Sequence, residues 1–223
     1  MLRPKKKITR KEIQRDPFLE SVDQAQAHLE DNRSLYLKIG IGLIVVLLFF
    51  NFRSNENANH STEASASLGK ALVTLDQGDK TSAKFQLETV YNDYEGTSSA
   101  FTACYYLGKM EYESDNMAGA DTYLSNFIKK NSIDPLAPSA VIMLSNISIK
   151  SDDVTEALKM INKALKNSNK YDSRSLEIAK AKILLDQNKK GEAKQIIDRL
   201  LNENDLSTDH KQSAQEMQGM SVS

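Results

Sequence analysis

The sequence predicts an all-α protein: one N-terminal transmembrane helix followed by an α-solenoid of about four helical hairpins. Three observations predict it. With no Trp, nine Gly and four Pro in 223 residues, the composition favours helix over a turn-rich β fold. A single uninterrupted apolar run, Ile39 to Phe50, stands between Lys38 and Arg53 and has no counterpart elsewhere in the chain. Finally, Ala83, Ala120, Ala157 and Ala193 recur at spacings of 37, 37 and 36 residues inside similar segments, the mark of a repeat array.

Residues 1–34 form a basic head. MLRPKKKITRKEIQR is poor in apolar residues and suits a position against anionic lipid headgroups. Asp16-Pro17 reads as a helix start, with Asp at the N-cap and Pro in the first turn. Phe18, Val22, Ala25 and Leu29 then make one apolar stripe. This short amphipathic helix could pack on the bilayer, on a second copy or on a partner's loop, and nothing in the sequence chooses among them.

The apolar run is predicted to be a membrane anchor over residues 35–52. A cleaved signal would lie nearer the start, and the first Ala-x-Ala-like site, Ala64-Ser65-Ala66, falls well beyond the run. A buried core helix is the alternative, since the strict run is short. Leu35, Tyr36, Leu37 and Phe52 extend it once Lys38 lifts its ammonium along its own stem. Eighteen residues at 1.5 Å each span roughly 27 Å, just enough for a thin bilayer. The run is apolar on every face, as lipid requires. Residues 1–38 carry nine Lys/Arg against six Asp/Glu, and after the span only Arg53 is basic before Lys70. That bias places the N-terminus in the cytoplasm and residues 53–223 across the membrane.

Residues 53–64, polar and rich in small residues, read as a tether. The repeat domain follows over 65–204. Four and seven residues after the alanines stand Leu87 and Val90, Leu124 and Phe127, Ile161 and Ala164, Ile197 and Leu200: one apolar helix face opened by a small residue. Twelve residues before them stand Ala71, Gly108, Ser145 and Ala181, all small. Fifteen before are Leu68, Tyr105, Ile142 and Ile178; eight before are Leu75, Tyr112, Ile149 and Leu185. Each unit is therefore a helical hairpin whose small residues let two helices pack closely. The turns hold Gly78-Asp79, Asp115-Asn116, Asp152-Asp153 and Asn188-Lys189, types suited to turn dihedrals and capping. Residues 205–223, with Leu206, Ala214 and Met217 on a polar background, suit a capping helix and a frayed terminus.

A hairpin with a small residue in its first helix and an alanine opening its second resembles a tetratricopeptide repeat. Leu107-Gly108 with Ala120 matches the family's Leu-Gly pair and alanine. The family's tryptophan and closing proline are absent, and the loops NSIDPLAPSA and NSNKYDSRS are expected to absorb a period longer than the family's usual one. The whole layout, over about 140 residues of repeats plus one anchor, is similar to bacterial membrane-anchored tetratricopeptide proteins, which include an ancillary subunit of the Sec translocon. The resemblance implies a single-pass protein of the bacterial inner membrane with a periplasmic repeat domain. It also implies binding to a translocation channel and to periplasmic chaperones or emerging chains. It further implies that first helices line a groove, where Lys109, Asn146 and Lys182 stand eleven residues before their alanines, with Leu72 at the same place in the first unit. Such a ladder could hold a carboxylate or peptide backbone, although solvated helix residues are the plainer reading.

No chemistry competes with binding. The three histidines, His28, His60 and His210, lie in different regions and lack partners at ligand spacing. No phosphate loop or nucleophile elbow occurs, and the lone Cys104 reads as packing. Asp152-Asp153 reads as capping rather than paired acids. A net charge of −1 points to no nucleic acid. The expectation is a non-enzyme without cofactor or metal. A scaffold of cell-wall or division machinery, homodimeric through head or repeats, is the alternative; a regulatory subunit of an enzyme complex is a third.

Overall fold

In a computed structural model the described residues are 26, 28, 32–131 and 133–222; the side chains of 33, 36, 37, 47–58 and 222 lie outside them. Among the described residues nine α-helices follow one another: α1 (Arg33–Asp76), α2 (Lys80–Asp93), α3 (Ser98–Glu113), α4 (Met117–Lys130), α5 (Ala137–Lys150), α6 (Val154–Leu165), α7 (Lys170–Asp186), α8 (Lys190–Leu201) and α9 (Thr208–Val222). The chain divides into two compact units, Met1–Ala58 and Asn59–Ser223.

In the first unit the backbone from Arg33 onward is helical. Leu35, Ile39, Ile41, Leu43, Ile44, Val45 and Val46 are each 50% to 61% exposed. Four of these are consecutive, so the apolar surface circles the helix. Among the described residues no helix is long and apolar enough to cross a membrane. The expected span 35–52 falls partly outside them, at the side chains of 36, 37 and 47–52, as does the expected head helix at Phe18, Val22, Ala25 and Leu29. The expected tether, 53–64, has helical backbone within α1; with neither Gly nor Pro, nothing in it stops the helix. Ala64 is already fully buried.

In the second unit the helices pair as α1–α2, α3–α4, α5–α6 and α7–α8, and α9 packs on α7 and α8. All eight register positions expected to be small are buried: Ala71, Gly108, Ser145 and Ala181 on first helices, Ala83, Ala120, Ala157 and Ala193 on second helices. Gly108 shows why. A Cβ there would stand 2.7 Å from Leu124 Cγ and 3.1 Å from the Leu124 backbone nitrogen, so no larger residue fits without displacing the Leu124 side chain or parting α3 from α4. Ser145 fits because its hydroxyl donates to the carbonyls of Val141 at 2.8 Å and Ala157 at 3.4 Å, which satisfies a polar atom in the seam.

The turns are built alike. Gly78, Asp115, Asp152 and Asn188 take left-handed backbone, with φ of 86°, 64°, 60° and 56°. The next residue caps the second helix: Asp79 accepts from Ser82 N, Asn116 from Gly119 N and Asp153 from Glu156 N. Lys189, in the fourth turn, makes no side-chain cap. The longer period is absorbed differently from expectation. The connection between the end of α4 at Lys130 and the start of α5 at Ala137 carries part of it. NSNKYDSRS is mostly helix, because Asn169 accepts from the amides of Tyr171 and Asp172 and starts α7 early.

Candidate protein-binding groove

Small residues at the hairpin seams leave the flanking first-helix positions near the edge of the core. Leu68, Leu72, Leu75, Tyr112, Ile142, Ile149, Ile178 and Leu185 are all half-buried; of the flanking set only Tyr105, at 5%, is fully enclosed. Spaced by four and three residues, they form one face on each of α1, α3, α5 and α7.

Side-chain hydrogen bonds join these faces. Tyr105 Oη donates to Ser139 Oγ at 3.0 Å, and Asn146 Nδ2 donates to Tyr112 Oη at 3.2 Å. Ser65 and Ser99 meet at 3.2 Å, and Ser175 Oγ and His210 Nε2 at 3.0 Å. In the three links that join repeats, each residue reaches one three places earlier in the next repeat's register. The backbones of successive first helices come close, α3 with α5, α5 with α7 and α7 with α9; those of successive second helices do not, among the described residues. The repeat stack therefore curves, with first helices on its inner wall.

The expected polar ladder is placed on this wall, but its rungs are not equivalent. Lys109 is exposed and its ammonium lies 3.9 Å from Glu113 one turn on. Asn146 is half-buried and spends an amide proton on Tyr112. Lys182 is exposed, and Leu72 contributes a half-buried apolar side chain. The groove is a partly exposed aliphatic and tyrosine strip bordered by two lysines. Its apolar rungs were read from sequence as packing alone; only the curvature, which brings first helices together at their edges, leaves them half open.

Two buried polar clusters hold the wall. Glu111, 6% exposed, receives the Lys84 ammonium at 2.5 Å and the Asn116 amide at 2.6 Å, so it fixes the cap of α4 from α3. The Lys84 hydrogen bond holds the Glu111 carboxyl below its usual value despite burial, and the same bond raises Lys84. Arg174, 4% exposed, donates to Glu203 and Asp205 of the loop before α9 and stacks 5.1 Å from Tyr171. Nothing in the sequence marked Arg174, since a buried arginine is visible only with its partners. Cys104 is enclosed, its thiol donating to the Tyr123 carbonyl at 3.1 Å, and burial pushes its pKa up to about 11.

Paired helices in register, close-packed at small residues, with a curved inner wall of first helices, define an α-solenoid of the protein-binding kind. The tetratricopeptide repeat-like domain family matches residues 27–217, and the chain belongs to it. Neither a curated protein nor a solved structure matches the chain.

Proposed function

We propose that this chain is a single-pass protein of the bacterial inner membrane whose repeat domain binds other proteins at the periplasmic surface, without catalysis. The membership in a repeat family implies protein partners. One observation carries the binding reading: a half-exposed apolar face crosses four first helices and is edged by Lys109 and Lys182. Apolar contact with the strip would supply affinity, and the lysines would favour segments that carry carboxylates.

The anchor is supported by the apolar run at 39–50, by the exposed apolar side chains from Leu35 to Val46, and by the basic residues before it. Anchoring confines the groove to the membrane surface and raises its effective concentration there. On that footing the partners are a translocation channel in the membrane and chaperones or emerging chains beside it, as the layout's resemblance to ancillary translocon subunits suggests. Co-purification of the full chain from mild detergent tests this. Recovery of channel or chaperone components is expected; recovery of the bait alone, or of cell-wall or division proteins only, contradicts it.

A further inference from the structure

At the outer junction of α4 and α6 the stack is left open, and an apolar side chain protrudes beside the opening. At the junction before it, Tyr91 of α2 and Tyr123 of α4 meet edge to face, ring centroids 5.7 Å apart. The same register positions one repeat on hold Ile128 and Met160, which are shorter, and a cleft of about 740 Å³ lies there over buried Val141 and Leu144 of α5. Size does not single this cleft out, since an opening of about 570 Å³ lies between α2 and α3. Ile133 does. It stands in the connection before α5 and borders the cleft, yet it is 84% exposed. An apolar knob and an apolar hole share one surface, the condition under which a patch fits its own copy about a two-fold axis.

The charges on the rim are self-complementary as well. Glu156 is neutralised by Lys159 at 2.8 Å. Asp134 and Asp172 accept hydrogen bonds from neutral donors, the Leu136 backbone N–H at 2.8 Å and the Asn169 amide at 2.7 Å, so both keep their charge. Lys129 and Lys163 have no ion-pair partner among the described residues. Each lip therefore carries one charge of each sign: Lys129 and Asp134 on the α4–α5 side, Lys163 and Asp172 on the α6–α7 side. A peptide of either charge would meet as many repelling groups as attracting ones, whereas a second copy matches both signs. We infer that the cleft is the contact of a two-fold homodimer. Ile133 of each copy enters the other's cleft between Ile128 and Met160, and Lys129 and Asp134 of one copy pair with Asp172 and Lys163 of the other. Every contact occurs twice, and both clefts close together. The inner groove lies on the other side of the stack, so the dimer keeps two grooves open to partners.

The test uses the full chain, in mild detergent and in intact membranes. Sedimentation in detergent is expected to show a monomer–dimer equilibrium that Ile133→Asp weakens about tenfold or more. Ile133 is exposed, so the fold survives this change, which an unaltered helical circular dichroism spectrum checks. In membranes, two differently tagged copies are made, one with Ile133→Cys and the other with Met160→Cys. Copper-catalysed oxidation is expected to join them through a disulfide, while enclosed Cys104 stays unlinked. Lys129→Glu in both copies is expected to abolish the link. Adding Asp172→Lys is expected to restore it, because the ion pair is then reversed rather than lost. A monomer at every concentration, a dimer indifferent to Ile133→Asp, no link between the two tagged copies, or a link that Asp172→Lys fails to restore would each overturn the proposal. None of these results bears on the inner groove, which is built from α1, α3, α5 and α7.

Discussion

Gly108 and Leu124 make the tightest seam in the stack. With a Cβ at 2.7 Å from Leu124 Cγ and 3.1 Å from a backbone nitrogen, Gly108→Ala forces either a side-chain or a helix shift. Overpacking of this kind costs about 1–3 kcal/mol, so denaturant unfolding of the variant is expected at a clearly lower midpoint. Asn188 is the opposite case. At φ 56° it holds a conformation that glycine adopts freely, and Asn188→Gly is expected to raise the unfolding free energy by up to about 1 kcal/mol and the midpoint with it. Cys104, enclosed and with its pKa raised to about 11, is expected to resist alkylation at neutral pH until the chain unfolds. Rapid labelling of the native chain would contradict that burial.

At the scale of elements, the turns explain the regularity of the hairpins. Three of four second helices are capped by a side chain, and α8 is the exception. Lys189→Asp supplies the missing acceptor and is expected to stabilise the chain by about 1 kcal/mol in thermal unfolding. The Lys84–Glu111–Asn116 cluster makes the α2–α3–α4 junction sensitive to acid. The Lys84 hydrogen bond holds the folded Glu111 carboxyl below the ordinary carboxylate value, so its contribution is present above that value and lost as pH falls through the folded one. Unfolding midpoints of wild type and Glu111→Gln are therefore expected to differ at pH 7 and to converge only as the solution is acidified below the ordinary carboxylate range. The sequence carried the alanine register and the turn pairs in plain view, because a helix seam admits few residue types. It hid the missing cap at Lys189, whose place in the turn looked like the others, and it hid Arg174, whose carboxylate partners arrive from a loop about thirty residues on.

For the whole molecule, curvature decides what can bind. No local pattern encodes it, since it emerges from first helices that touch and second helices that do not. That is why spacing could give Lys109, Asn146 and Lys182 one register position, and only the resemblance to the repeat family a groove wall, while Asn146's commitment to Tyr112 and the half-exposed apolar strip beside it stayed hidden. Residues 53–64 are a different case: their polar composition reads as a tether, but with neither Gly nor Pro to stop it the helix runs through them. Photo-crosslinking in intact membranes is the most direct measurement of groove binding. Probes placed singly at Lys109, Asn146 and Lys182 should capture the same protein partner, whereas a probe at exposed Thr122 on α4 should not capture it. Absence of any adduct from the three groove positions, or the same adduct from Thr122, would contradict a binding groove on the inner wall.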